Sequence, residues 1–155
     1  INGALSPREL RGVCETSQGQ MVITQHTKAN AILVDMEASN HALLVDASGG
    51  RGRLPKQWVR PETPKAVGFA GGLGQGNLAE HLPKIAAVAL GDFWVDMEGR
   101  LRDADDWFSV ERAQEVMNVF LAWKGPDAVA RLESMVCSAR ALLNLGERLA
   151  TKERP

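Results

Sequence analysis

The chain has few cysteines, no long apolar run and no excess of charge of either sign. Its two cysteines, Cys14 and Cys137, are far apart, and neither sits in a C-x-x-C or a Cys/His cluster. That excludes a disulfide framework and a cysteine-built metal site, and fits reduced thiols in a cytoplasmic setting. No stretch reaches the roughly 18 apolar residues of a membrane span, and no signal peptide is visible. Lysine and arginine number 18 against 19 aspartates and glutamates, a formal charge of −1. Nucleic-acid binders usually present a strongly basic face, so nucleic acid is not the expected partner. Two nucleotide motifs fail as well. From Gly72 and Gly74, the third glycine of G-x-G-x-x-G falls on Asn77, and no Gly-Lys-Ser/Thr closes a P-loop. The sequence points to no cofactor and no metal.

The length of 155 residues is that of one domain. Its distinctive stretch is KAVGFAGGLGQGNLAEH, from Lys65 to His81. A short apolar run is followed by Gly71, Gly72, Gly74 and Gly76, and Asn77 to Lys84 reads as the start of a helix. Strand, glycine turn and helix can hold an anion on free N–H groups and a helix dipole, or can simply be a tight connection.

Ser6-Pro7-Arg8-Glu9 is a capping box that starts a helix running to about Thr16. Met21 to Thr24, Ala42 to Val45 and Phe93 to Val95 read as strands, and the residues around Ile1 as the tail of another. Ala29 to Met36 reads as helix rather than strand. Ser109 caps a helix with Val110, Ala113, Met117, Phe120 and Leu121 on one face. Pro126 to Leu149 forms a last helix, and Thr151 to Pro155 a polar tail. Apolar strands alternating with helices imply parallel strands covered on both faces, with chemistry at the carboxyl ends of the strands.

Three of those ends carry polar or glycine residues. Asp46 follows four apolar residues. Desolvation at such a rim raises a carboxyl pKa and suits a general acid, whereas a loop-capping aspartate occupies the same kind of position. Asp96 shares the pattern, and Asp35 does so less clearly. Arg51 and Arg53, among Gly49, Gly50 and Gly52, either grip an anion or stay solvated. His26, His41 and His81 lack ligand spacing and read as surface or hydrogen-bonded histidines. The four tryptophans read as packing residues, Trp58 having the best claim to touch a ligand.

LLVDASGGRG (residues 43–52), Trp58, and VGFAGGLGQGNLAE (residues 67–80) resemble the sixth and seventh strand–loop units of the phosphoribosylanthranilate isomerase family. Ile1-Asn2-Gly3 is similar to the family's fourth-strand segment, and FWVDMEG falls at its eighth strand. The resemblance implies a (β/α)8 barrel of which only about strands 4 to 8 are present, within residues 1–125. Residues 126–150 would be an additional helix and 151–155 the tail. It implies isomerisation of a phosphorylated sugar-amine, an Amadori-type rearrangement in tryptophan biosynthesis, with Asp46 as general acid. Gly49, Gly50, Arg51, Gly52, Gly71, Gly72, Gly74, Gly99 and Arg100 would bind phosphate and substrate. The alternatives are a non-catalytic binder of a phosphorylated metabolite, and a half-barrel that pairs with a partner chain. The partner would be the missing N-terminal half or a second copy.

The chain departs from the family in two places. The family's general base is a cysteine ending the first strand, and Cys14 does not match it. The family's eighth strand usually ends in a Ser-Gly loop, where this chain has Met97-Glu98-Gly99-Arg100, so Glu98 must be offset by Arg100 or Arg102 before a phosphate can sit there.

Overall fold

The computed structural model describes residues 1–46 and 48–125. The expected last helix, the tail and Cys137 lie outside those residues. The order of elements is α1 (Pro7–Thr16), β1 (Val22–His26), a 3-10 helix (Lys28–Asp35), β2 (His41–Asp46), β3 (Val67–Ala70), α2 (Leu78–Ala89), β4 (Phe93–Val95), a 3-10 turn (Gly99–Leu101) and α3 (Val110–Lys124). The four strands form one parallel sheet in the order β1-β2-β3-β4. The protein is therefore α/β, and each strand neighbours the next in sequence.

Local chemistry explains the boundaries. Ser6 accepts from the Glu9 N–H while the Glu9 carboxylate accepts from the Ser6 N–H, which closes the capping box that starts α1. Asn40 ends the α1 segment from a distance, its side-chain amide donating to the carbonyls of Cys14, Ser17 and Gln20. The Ile1 amino group donates to the Ile23 carbonyl, and the Gln25 N–H donates to Ile1. That is the bonding of a parallel neighbour on the outer edge of β1. The ambiguous stretch after β1 is helical, in the tighter 3-10 form.

Residues paired across a parallel sheet point the same way, and neighbours along a strand alternate. One face carries Val22, Leu43, Val67, Phe69, Phe93 and Val95. On this side Leu10, Cys14 and Leu33 pack with Val22, while Leu78, Leu82 and Ile85 pack with Val67 and Phe69. Among the described residues, neither apolar cluster includes a residue of the opposite face. That face carries Ile23, Leu44, Gly68 and Trp94, then Asp46, Ala70 and Asp96 towards the carboxyl ends.

Two packing assignments also change. Trp58 is 5% exposed, lies edge-on to Phe69 and donates its indole N–H to His81 Nδ1 at 3.0 Å. It is core, on the helix side of the sheet. In α3 the packed residues are Val116, Val119, Phe120 and Trp123. Val110 and Met117 are exposed. The helix has apolar residues around more than half its circumference, so periodicity alone did not fix its phase. Trp107, expected to pack, is 74% exposed.

Candidate functional site

At the carboxyl edge of the sheet lies a cleft of about 570 Å³. The loops after β2, β3 and β4 form it. Asp46, Gly50, Arg51 and Gly52 come from the first, Gly71 and Gly72 from the second, Gly99 and Arg100 from the third. Eight of the ten residues expected from sequence therefore meet in one cavity. Gly49 lies beside it in the first loop. Gly74 lies under Arg100: a Cβ on Gly74 would come within 2.6 Å of the Arg100 Cβ. Arg53, Asp35 and the three histidines do not line the cleft.

The first two loops are docked on each other. Gly72 has φ +64°, and a Cβ there would lie 2.6 Å from the Gly52 carbonyl and 3.0 Å from the Leu54 nitrogen. Only glycine satisfies both the left-handed backbone and this approach. Asn77 braces the second loop by accepting from the Gly74 N–H at 3.0 Å and donating to the Gly72 carbonyl at 2.9 Å.

This bracing occupies part of the start of α2 that the sequence offers to an anion. The N–H groups of Asn77 and Leu78 donate to the Gly74 carbonyl, and those of Glu80 and His81 to Asn77. Gly74's own N–H is taken as well. Among the described residues, the N–H groups of Gly71, Gly72, Leu73, Gln75 and Gly76 bond no acceptor, and the first three of these residues line the cleft.

Asp46 is 8% exposed and heavily solvated by the protein. Oδ1 accepts from the Ser48 N–H (2.9 Å) and hydroxyl (2.8 Å). Oδ2 accepts from the Gly50 N–H (2.6 Å) and the Gln25 side-chain amide (3.1 Å). Burial pushes the carboxyl pKa up, as expected from sequence, but the bonds from Ser48, Gly50 and Gln25 outweigh it and hold the pKa below the ordinary value. The expectation of a raised pKa at Asp46 is thus overturned by the loop the residue caps.

Asp96 behaves oppositely. Partial burial of its carboxyl raises the pKa, and the negative charges of Glu98 and Asp46 raise it further. No hydrogen-bond donor reaches it among the described residues. The Glu98 problem is resolved locally: Arg102 bonds Glu98 at 2.8 Å and approaches Asp106 at 3.6 Å. Arg100 has no ion pair among the described residues. Arg51 turns back on its own loop, Nε donating to the Ser48 carbonyl at 2.7 Å.

The sequence reading left Gln25, Ser48 and Asn77 out of the site, and named Arg102 only as an offset to Glu98. Gln25 had a signal, since period-two alternation from Ile23 places it on the face that carries Asp46. Ser48 was legible as the second residue after a loop-capping aspartate. Asn77 acts through contacts that only the folded loop creates. Among the described residues, no three His, Cys, Asp or Glu side chains are placed to hold a metal ion, and no helix is long and apolar enough to cross a membrane.

Comparison with protein-family models, with curated proteins and with solved structures finds no match to this chain.

Proposed function

We propose that the cleft binds a phosphorylated sugar-amine and isomerises it, as the resemblance to phosphoribosylanthranilate isomerases implies. The observation that carries the reading is the meeting, in one cavity at the carboxyl edge of a parallel sheet, of two glycine loops, three arginines and four carboxyls, Asp46 and Asp96 among them. Ligands of α/β sheets sit at this edge. The phosphate lies on the Gly72 and Leu73 N–H groups with Arg100 beside it, and the sugar reaches towards Asp46. Held ionised by its hydrogen bonds, Asp46 faces the cationic Schiff base that ring opening creates and takes the C2 proton. On this reading the sheet is part of a (β/α)8 barrel, and further strands, from the same protein or a partner, cover its inner face.

Incubation with N-(5′-phosphoribosyl)anthranilate, followed by chromatography of the products, tests the activity. The 1-deoxyribulose isomer is expected, and unchanged substrate with the barrel-completing strands present would end the isomerase reading. Amide shifts on titrating inorganic phosphate test the anion site: they are expected at Gly72 and Leu73, and shifts confined elsewhere would remove it.

One observation favours a second reading. Asp46 accepts four hydrogen bonds, which is what a purely structural loop cap does. In that case the cleft binds a phosphorylated metabolite without turning it over. Phosphate-dependent shifts without product would select this reading.

A further inference from the structure

We propose that Asp96 is the proton donor of this cleft, working across Ala70 from Asp46. The inference rests on the isomerase reading above and assigns a residue to the step that Asp46, as the structure presents it, does not serve.

The geometry comes from the register. Asp46 pairs with Ala70, and the Asp96 N–H donates to the Phe69 carbonyl at 2.9 Å, which carries the β3–β4 ladder one residue beyond Val95. Asp46, Ala70 and Asp96 therefore form one row on one face. Adjacent strands are about 4.8 Å apart, so the two aspartate backbones stand roughly 10 Å apart. The residue between them ends at a methyl group. Both carboxyls line the same cavity, and a sugar ring can lie between them over Ala70.

The surroundings divide the roles. From β2 and its loop, Asp96 faces Asp46 and, further off, Arg51. From its own loop it faces Glu98, Arg100, Arg102 and Asp106. Glu98 and Asp106 engage Arg102. Four donors stabilise the Asp46 carboxylate and, among the described residues, none stabilises that of Asp96, whose pKa is raised where that of Asp46 is lowered. Two carboxyls pushed apart in this way divide into proton donor and acceptor.

The proton balance closes without an oxidant or a further reactant. Asp96 gives its proton to the furanose ring oxygen as the C1–O bond breaks. That electron pair stays on oxygen, and the nitrogen lone pair forms C1=N. Asp46 takes the C2 proton, the C2–H electrons form C1=C2, and the C=N π pair returns to nitrogen. The enol then loses its hydroxyl proton and gains one at C1, giving the ketone. Transfer of the Asp46 proton to Asp96 through water restores both groups.

The test is Asp96→Asn beside Asp46→Asn in the full chain, each checked for folding by circular dichroism. With N-(5′-phosphoribosyl)anthranilate, Asp96→Asn is expected to lower kcat about 100-fold or more, with KM changed by less than about threefold. It should also abolish the alkaline limb of the pH profile, which reports the donor losing its proton, and Asp96→Glu should restore part of the rate. Turnover in the wild type that Asp96→Asn leaves intact would overturn the assignment and spare the isomerase reading. No turnover in the wild type with the barrel-completing strands present would end both. Carboxyl ¹³C titration gives a readout independent of turnover: Asp96 should titrate above Asp46, and removing the Asp46 charge in Asp46→Asn should lower the Asp96 midpoint. Equal midpoints in the wild type would also overturn the proposal.

Discussion

Asp46 and Asp96 stand in one row of the sheet with only the Ala70 methyl group between them. The first prediction concerns that gap. Ala70 is buried and lines the cleft, so Ala70→Leu fills the space a ligand would use. Overpacking costs about 1–3 kcal/mol, which leaves a folded protein. Binding of ribose 5-phosphate, followed by calorimetry, should weaken at least about tenfold, equivalent to about 1.4 kcal/mol. Unchanged affinity would place the ligand elsewhere.

Asp46 also holds its loop, so Asp46→Asn should weaken the fold as well as the chemistry. From sequence alone the substitution reads as harmless to folding. The four hydrogen bonds to the carboxylate argue otherwise, since bonds to charged groups contribute about 1.5–3 kcal/mol each before competing terms. The Asp46 pKa is lowered in the folded state. Its contribution is therefore full above the unfolded carboxylate pKa and is lost as pH falls through the folded value. Urea unfolding should show Asp46→Asn less stable by about 1–3 kcal/mol at pH 7, with the difference shrinking towards pH 3. A pH-independent difference would count against the ionised cap.

Much of this architecture was legible because its signals are local. The capping box at Ser6 and Glu9 fixed α1, and the apolar runs ending at Asp46 and Val95 fixed β2 and β4. The glycine spacing from Gly71 to Gly76 located the β3–α2 turn. What stayed hidden depends on contacts between distant segments. The Asp46 pKa is set by a serine and a glycine whose positions exist only once the loop has turned, and by Gln25 from the neighbouring strand. The place of Trp58 is set by His81, 23 residues away. Asp96 and Asp46 become neighbours only through a register spanning three strands.

His41 makes acid stability a test of the β1–β2 pair. It is 3% exposed, bonds the buried Thr24 hydroxyl at 2.8 Å through Nε2, and its Nδ1 has no partner among the described residues. Burial, helped by the Lys65 charge, lowers its pKa to about 4. A depressed folded pKa means that stability is full above the unfolded histidine value and is lost as pH falls towards the folded one. Between about pH 6.5 and 4 the protein should lose on the order of 3 kcal/mol through this group. His41→Gln should flatten that part of the pH–stability curve. A slope equal to that of the wild type would show that another group titrates there.

The face of the sheet that carries Asp46 and Asp96 depends on the absence of a side chain at Gly68. A Cβ at that position would overlap the indole of Trp94, which lies across it from the next strand. The backbone φ of Gly68 is unexceptional, so the requirement is for space rather than for conformational freedom. Gly68→Ala therefore forces Trp94 off its seat, or β3 and β4 apart, at a cost of about 1–3 kcal/mol. Displacement of Trp94 should change the near-ultraviolet circular dichroism. The pair also makes a closed test. Trp94→Leu alone loses packing, whereas Gly68→Ala in the Trp94→Leu background should cost much less than in the wild type. A double-mutant cycle in urea should give a coupling of about 1 kcal/mol or more, in the range found for residues in contact. Additive costs would mean that Trp94 does not rest on Gly68 in solution, and the row above it, which carries Asp96, would lose its support.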